Sequence, residues 1–312
     1  MTGVGTRGRV AFRIVGVLLG LGTLAAVAYE LRHTDIHAVL RDVRPGYVAV
    51  AVGVTAVSLV AAAYNVIGFS PLKPRAGPTV LAQLAVSAVR VVVPNAVSTP
   101  TVVARYLVRC GATLPEALAT VGAAQTAQFG MTVLIVVAVS ITSGANVATR
   151  IDRLLVSEVL LGIGLVVGLV ALLARYSGRV AGALRDARTS ITALGAHVRA
   201  RPGTAVLGLF AAAALTATHV AAFGCCVAAA GGHASVLAVT AVYLGGATAG
   251  SLSPTPGGTG ASEAAMIGGL VAIGVPLTLA TAATVLSRLV SVWLLVPPGW
   301  LALALLRRRA LL

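Results

Sequence analysis

The stretch Ser253 to Glu263, SPTPGGTGASE, constrains this chain more than any other, because it breaks a series of apolar runs otherwise long enough to cross a bilayer. Irregular backbone is not tolerated against lipid; at membrane depth it is buried in protein or lines a watery cavity. Prolines, glycines and a lone carboxylate at that depth point to a broken helix around a polar site, as in transporters that bind substrate near the midplane.

The surrounding composition fixes the setting. Hydrophobic residues make up 58% of the chain and charged ones 10%, too little polar surface for a water-soluble fold. A requirement of about 20 apolar residues per span predicts about six full crossings, at Phe12 to Tyr29, Tyr47 to Ile67, Glu116 to Ser143, Leu154 to Ala174, Thr204 to Ala230 and Pro276 to Leu306. Two further apolar stretches are broken in the middle: residues 79–109 by Pro94-Asn95 and Pro100, and residues 234–273 by SPTPGGTG. Their shorter arms cannot cross a core of roughly 30 Å at about 1.5 Å per residue, so both read as re-entrant helical hairpins. The expectation is an all-α integral membrane protein, one polytopic domain over residues 1–312. Its N-terminal run ends Ala26-Val27-Ala28, which resembles a cleavage site; an uncleaved signal anchor is the simpler reading.

The net charge of +15 suggests nucleic acid at first sight, but the basic residues sit mostly between apolar runs, where they orient a membrane protein. With both termini cytoplasmic, the inner segments hold Arg7, Arg9, Arg13, Lys73, Arg75, Arg109, the arginines of a basic linker at residues 175–202, and Arg307 to Arg309. The outer segments hold only Arg32, Arg41, Arg44, Arg150 and Arg153, interspersed with acids. This places the first hairpin's entry on the cytoplasmic side and the second's outside, as in an inverted repeat. A weak echo supports the repeat: Pro94 and Gly111 match Pro256 and Gly274, which makes Gln125 and Arg288 equivalent positions. The linker reads as an amphipathic helix on the anionic inner leaflet.

Arg90, Arg105 and Arg288 remain inside the bilayer, where an arginine costs from about 3 to more than 10 kcal/mol and must face a partner or water. Arg105 is also close enough to the interface to snorkel there with Arg109. Glu263 stands three residues after Gly260, where a new helix begins; it reads as a capping carboxylate, or functionally as the ion-pair partner of Arg288 or a ligand for a cationic headgroup, and the capping and functional roles are compatible. The cavity is then net positive and suits an anionic group such as a lipid phosphate, held by guanidinium and approached by backbone N–H groups at Gly257, Gly258 and Gly260. His219 reads as a packing histidine. Gln83, Gln125 and Gln128 read equally as cavity lining or as interhelical hydrogen bonders. Cys110, Cys225 and Cys226 form neither a disulfide framework nor a metal site, and no metal or cofactor is expected.

PTPGGTGASEAA, followed by Gly274-Val275-Pro276 and then Arg288, Trp293, Pro297 and Gly299, resembles the transmembrane, flippase-like domain of lysylphosphatidylglycerol synthases. The stretch Val91 to Ala119 is similar to that family's first hairpin, though Asn95-Ala96 stand where glycines are common and no acid precedes Arg105. The resemblance implies a bacterial cell-membrane protein that moves a lipid headgroup between leaflets, with the proline-glycine tip and the residues matching Glu263 and Arg288 near the pathway. The 312 residues hold no soluble aminoacyl-transferase segment, so the expectation is a flippase for an anionic phospholipid or isoprenoid-phosphate headgroup rather than an enzyme. The alternatives are an accessory subunit of a separately encoded synthase and, lacking paired acids or a nucleophile with its base, an integral membrane headgroup transferase.

Overall fold

The computed structural model describes residues 43–93, 95–142, 192, 195, 199–252 and 258–312. The predicted crossings at Phe12 to Tyr29 and Leu154 to Ala174, most of the basic linker, Pro94 and the tip residues 253–257 lie outside them. The described residues are helical and contain no strand.

Four helical stretches are long and apolar enough to cross a bilayer: Pro45–Phe69, Leu114–Ile135, Pro202–Ala229 and Leu277–Arg308. They fall on the predicted crossings. The first, α1 (Pro45–Phe69), starts on a proline in its first turn, where the missing N–H would be unpaired anyway. Then come α2 (Ala76–Arg90), α3 (Asn95–Arg109) and α4 (Leu114–Thr142). The start of α4 is set by a capping box, Glu116 Oε2 accepting from Thr113 N–H at 2.9 Å while Thr113 Oγ1 accepts from Glu116 N–H at 3.4 Å. The second half repeats the order with α5 (Pro202–Ala229), α6 (Val236–Leu252), α7 (Ala261–Ala272) and α8 (Leu277–Ser291), then a 3-10 turn, Trp293–Leu295, and α9 (Val296–Arg308).

Both broken stretches are helix, break, helix, with the arms folded on one another. Pro100 does not cut the first, contrary to expectation: α3 runs through it. It lies so near the helix start that its missing N–H forfeits only a bond to residue 96 in the first turn. The last crossing, by contrast, is interrupted after Ser291, because Pro297 and Pro298 cannot donate to the carbonyls of Trp293 and Leu294.

The two halves end their elements in register. The last residues of α1 and α5, 69 and 229, differ by 160, as do the first residues of α2 and α6, 76 and 236. The ends of α3 and α7, 109 and 272, and the starts of α4 and α8, 114 and 277, differ by 163. Each hairpin closes with the same cap: Gly111 at φ +105° and Gly274 at φ +92°, with Ala112 N–H bonded to Leu107 O and Val275 N–H to Leu270 O, both at 3.0 Å. Meanwhile α1 and α5 pack antiparallel, Arg44 N–H reaching Ala229 O at 3.0 Å at one end and Gly68 lying against Gly208 at the other.

Burial follows the same division. One core gathers α2, α3, the start of α4 and α9 around Tyr106 and Leu107; the other gathers α6, α7, α8 and the end of α5 around Phe223 and Leu270. Outside them large apolar side chains stand exposed, Phe210 by 72% and Leu301 by 67%, which only a lipid environment accommodates at this density.

Candidate functional site

A cavity of about 330 Å³ lies between the halves, at the low end of small-molecule sites, which run about 300–1,000 Å³. Its lining repeats the register of the fold. On the 160-residue offset, Thr55 matches Leu215, Leu59 His219, Gln83 Tyr243, Ser87 Ala247 and Arg90 Gly250. On the 163-residue offset, Thr99 matches Ser262, Gln125 Arg288 and Gln128 Ser291, and every one of these residues faces the cavity. The pairing of Gln125 with Arg288 is the one expected from the glycine spacing.

Each half contributes one arginine, at positions that do not correspond. Arg90 is the last residue of α2, and Arg288 lies in the last turn of α8. The unpaired carbonyls of a helix C-terminus favour a cation, which lowers the cost of holding guanidinium groups at this depth. Both arginines line the same cavity.

Arg288 Nε sits 2.5 Å from Glu263 Oε1, and Glu263 Oε2 accepts from Gly260 N–H at 2.6 Å. Glu263 is therefore both the cap of α7 and the counter-ion of Arg288. It is not on the cavity wall; it stands behind Arg288 and positions it. Arg288 Nε is met by the Glu263 carboxylate, whereas Nη2 is closed off from solvent with no hydrogen-bond partner. Arg90 has no ion pair among the described residues.

The glycines of the second tip act through the backbone. Gly258 has φ +68°, and a Cβ there would meet Gly250 O at 2.5 Å; Gly250 in turn lines the cavity. Along the arms Gly246 lies against Met266 and Gly269 against Val242, so α6 and α7 nearly touch. Gly260, at φ +89° with open space around it, is the turn residue before α7. Neither Gly258 nor Gly260 reaches the cavity wall, and Gly257 lies outside the described residues.

Arg105 is exposed and away from the cavity. Residues 102–104, 106 and 107 of α3 face the core, while Thr101, Arg105, Val108 and Arg109 form its outer stripe, the spacing of one helix face. His219 does more than pack: it faces the cavity beside Tyr243, ring centroids 6.2 Å apart. Gln83 and Gln128 serve both expected roles, lining the cavity while donating to Ala62 O at 3.3 Å and Thr216 Oγ1 at 2.7 Å. Tyr243, Ser87, Thr99 and Ser262 went unnoticed in the sequence, and the register between halves was the signal that could have found them.

Long apolar helices around a cationic, polar cavity define a multi-pass membrane protein with an internal polar cavity. The chain belongs to the family described as lysylphosphatidylglycerol synthase TM region, whose family model matches residues 13–299. A search of curated proteins finds no match to the chain.

Proposed function

We propose that this protein moves a lipid with an anionic headgroup between leaflets, the headgroup passing through the cavity held by Arg90 and Arg288. The observation that carries the reading is the convergence of these arginines, one from each half, on one cavity at the junction of the halves. An anion there makes charge-assisted contacts with both guanidinium groups, and a lipid phosphate is the anion a bilayer supplies. The shared register and the antiparallel α1–α5 pairing support an inverted repeat with a fixed central site. In such a repeat the hairpins α2–α3 and α6–α7 enter from opposite faces and alternate in opening. Both termini are then cytoplasmic, and the protein acts as a transporter rather than an enzyme.

The test is leaflet-to-leaflet transfer of labelled lipids in vesicles carrying the purified protein. Transfer of phosphatidylglycerol or a polyprenyl phosphate, abolished by Arg288→Ala and Arg90→Ala in folded protein, is expected. No transfer of any lipid by folded protein sinks the reading and turns attention to an accessory role beside a separate synthase.

A further inference from the structure

The cavity gives Arg105 no task, yet this arginine sits on the outer surface of a membrane-embedded hairpin. It is exposed one turn inside Arg109 on the same stripe of α3, about 6 Å along the helix axis, and has no ion pair among the described residues. Val108 stands exposed between the two. A guanidinium at the edge of the hydrocarbon is costly unless it meets an anion or water, and side chains four residues apart on a helix reach one group together.

The end of the bundle where α3 terminates is strongly basic. The hydrogen bond between Thr79 Oγ1 and Tyr106 Oη sets the start of α2 beside the end of α3, which brings Lys73 and Arg75 to the level of Arg109. Gly68, at the end of α1, lies against Gly208 and the Thr204 carbonyl, which adds Arg199 and Arg201 just ahead of α5. At the far end of α5, Gly232 packs beside Val275, so the crossing Leu277–Arg308 starts there and delivers Arg307 to Arg309 to the basic end. All nine of these cations are exposed, against one exposed acid, Glu116, whose carboxylate caps Thr113 N–H. Among the described residues outside the cavity, the opposite end offers only the cation Arg44.

Two anionic partners fit such a surface, a phospholipid leaflet and an acidic protein, and the apolar side chains separate them. Leu72, Val108, Leu114 and Leu118 are exposed among the cations. An acidic protein docked from the water offers carboxylates but nothing to cover these side chains. A leaflet takes the apolar groups among its acyl chains while the guanidinium groups reach up to the phosphates. We propose that Arg105 and Arg109 hold the phosphate of an anionic phospholipid on the outer surface of α3, and that the basic end around them favours this lipid over zwitterionic ones. The site lies outside the cavity and stands whether or not the protein moves lipid.

The experiment reads the lipid beside α3 directly. Val108→Trp is made with Trp293→Phe and Trp300→Phe, so that one indole lies between the two arginines, and its fluorescence is quenched in vesicles by brominated phosphatidylglycerol or brominated phosphatidylcholine. Association with phosphatidylglycerol is expected to be at least about fivefold stronger, the worth of one basic residue beside an anionic lipid. Adding Arg105→Gln and Arg109→Gln should bring the ratio to about twofold or less. Leu277→Trp in the same background, at the opposite end of the bundle, should show no comparable preference. Where the tryptophan variants do not fold, native mass spectrometry of protein taken from equimolar phosphatidylglycerol and phosphatidylcholine should show retained phosphatidylglycerol that Arg105→Gln with Arg109→Gln removes. Equal quenching by the two lipids at Val108, or a preference that survives loss of both arginines, overturns the site. Equal quenching, with polyglutamate bound by the protein and not by the double glutamine variant, replaces the lipid with an acidic polypeptide.

Discussion

The two hairpins have the same helical frame and hold it by different means. In the first, α2 and α3 are tied by a side-chain hydrogen bond, Thr79 Oγ1 to Tyr106 Oη at 3.0 Å, inside the core around Tyr106 and Leu107. In the second, α6 and α7 approach through glycines, and the tip closes with Gly258 against Gly250 and Glu263 bonded to Gly260 N–H. The charges diverge too: Arg90 corresponds to Gly250, and Arg288 to Gln125. A shared backbone thus carries a site symmetric in shape and asymmetric in chemistry, and each half supplies what the other lacks.

The largest effect should come from the ion pair, which among the described residues only the second half has. Arg288→Ala strands the mostly buried carboxylate of Glu263 with one backbone N–H, and should cost about 3–5 kcal/mol of stability, read by thermal unfolding in detergent. Adding Glu263→Gln should recover most of it, since the amide oxygen still caps Gly260 N–H. Recovery of stability without lipid transfer would separate fold from function; no recovery would mean that the carboxylate has another task.

Next comes the backbone contact. Gly258→Ala sets a Cβ against the Gly250 backbone at positive φ, and should cost about 3 kcal/mol as the sum of left-handed strain and overpacking. Gly260→Ala, equally left-handed but with open space, should cost only about 1–2 kcal/mol. Equal losses from the two would remove the close approach of the arms from the comparison. The smallest effect belongs to the first half: Tyr106→Phe removes its inter-arm hydrogen bond and should cost about 1 kcal/mol. A larger loss there, in the same unfolding measurement, would make that bond as important to its hairpin as the glycine contacts are to the other.

Periodicity and punctuation carried most of the fold into view. Apolar length located the described crossings, and the Gly111 and Gly274 spacing predicted the equivalence of Gln125 and Arg288, because both glycines are helix caps that no other residue suits as well. Arg288 with Glu263 was legible because charge is rare at that depth and the tip places the acid in a first turn. Arg105 misled because depth along a helix says nothing of direction around it; the exposed stripe of α3 had to be seen. His219 looked inert because its neighbours in the cavity, Arg90 and Tyr243, come from other helices and leave no local sequence trace. The break after Ser291 was foreshadowed by Pro297-Pro298 but lay within a run apolar enough to read as one span.

Arg90 stands without an ion pair among the described residues while Arg288 is neutralised by Glu263, and this has an electrical consequence. A membrane potential acts on net charge, by about 2.3 kcal/mol per elementary charge for each 100 mV traversed. In a cycle of the proposed kind the empty cavity retains the positive charge of Arg90, whereas a cavity filled by a monoanionic headgroup is close to neutral. The loaded step then runs almost indifferent to voltage, and the return of the empty carrier is the step on which the potential works.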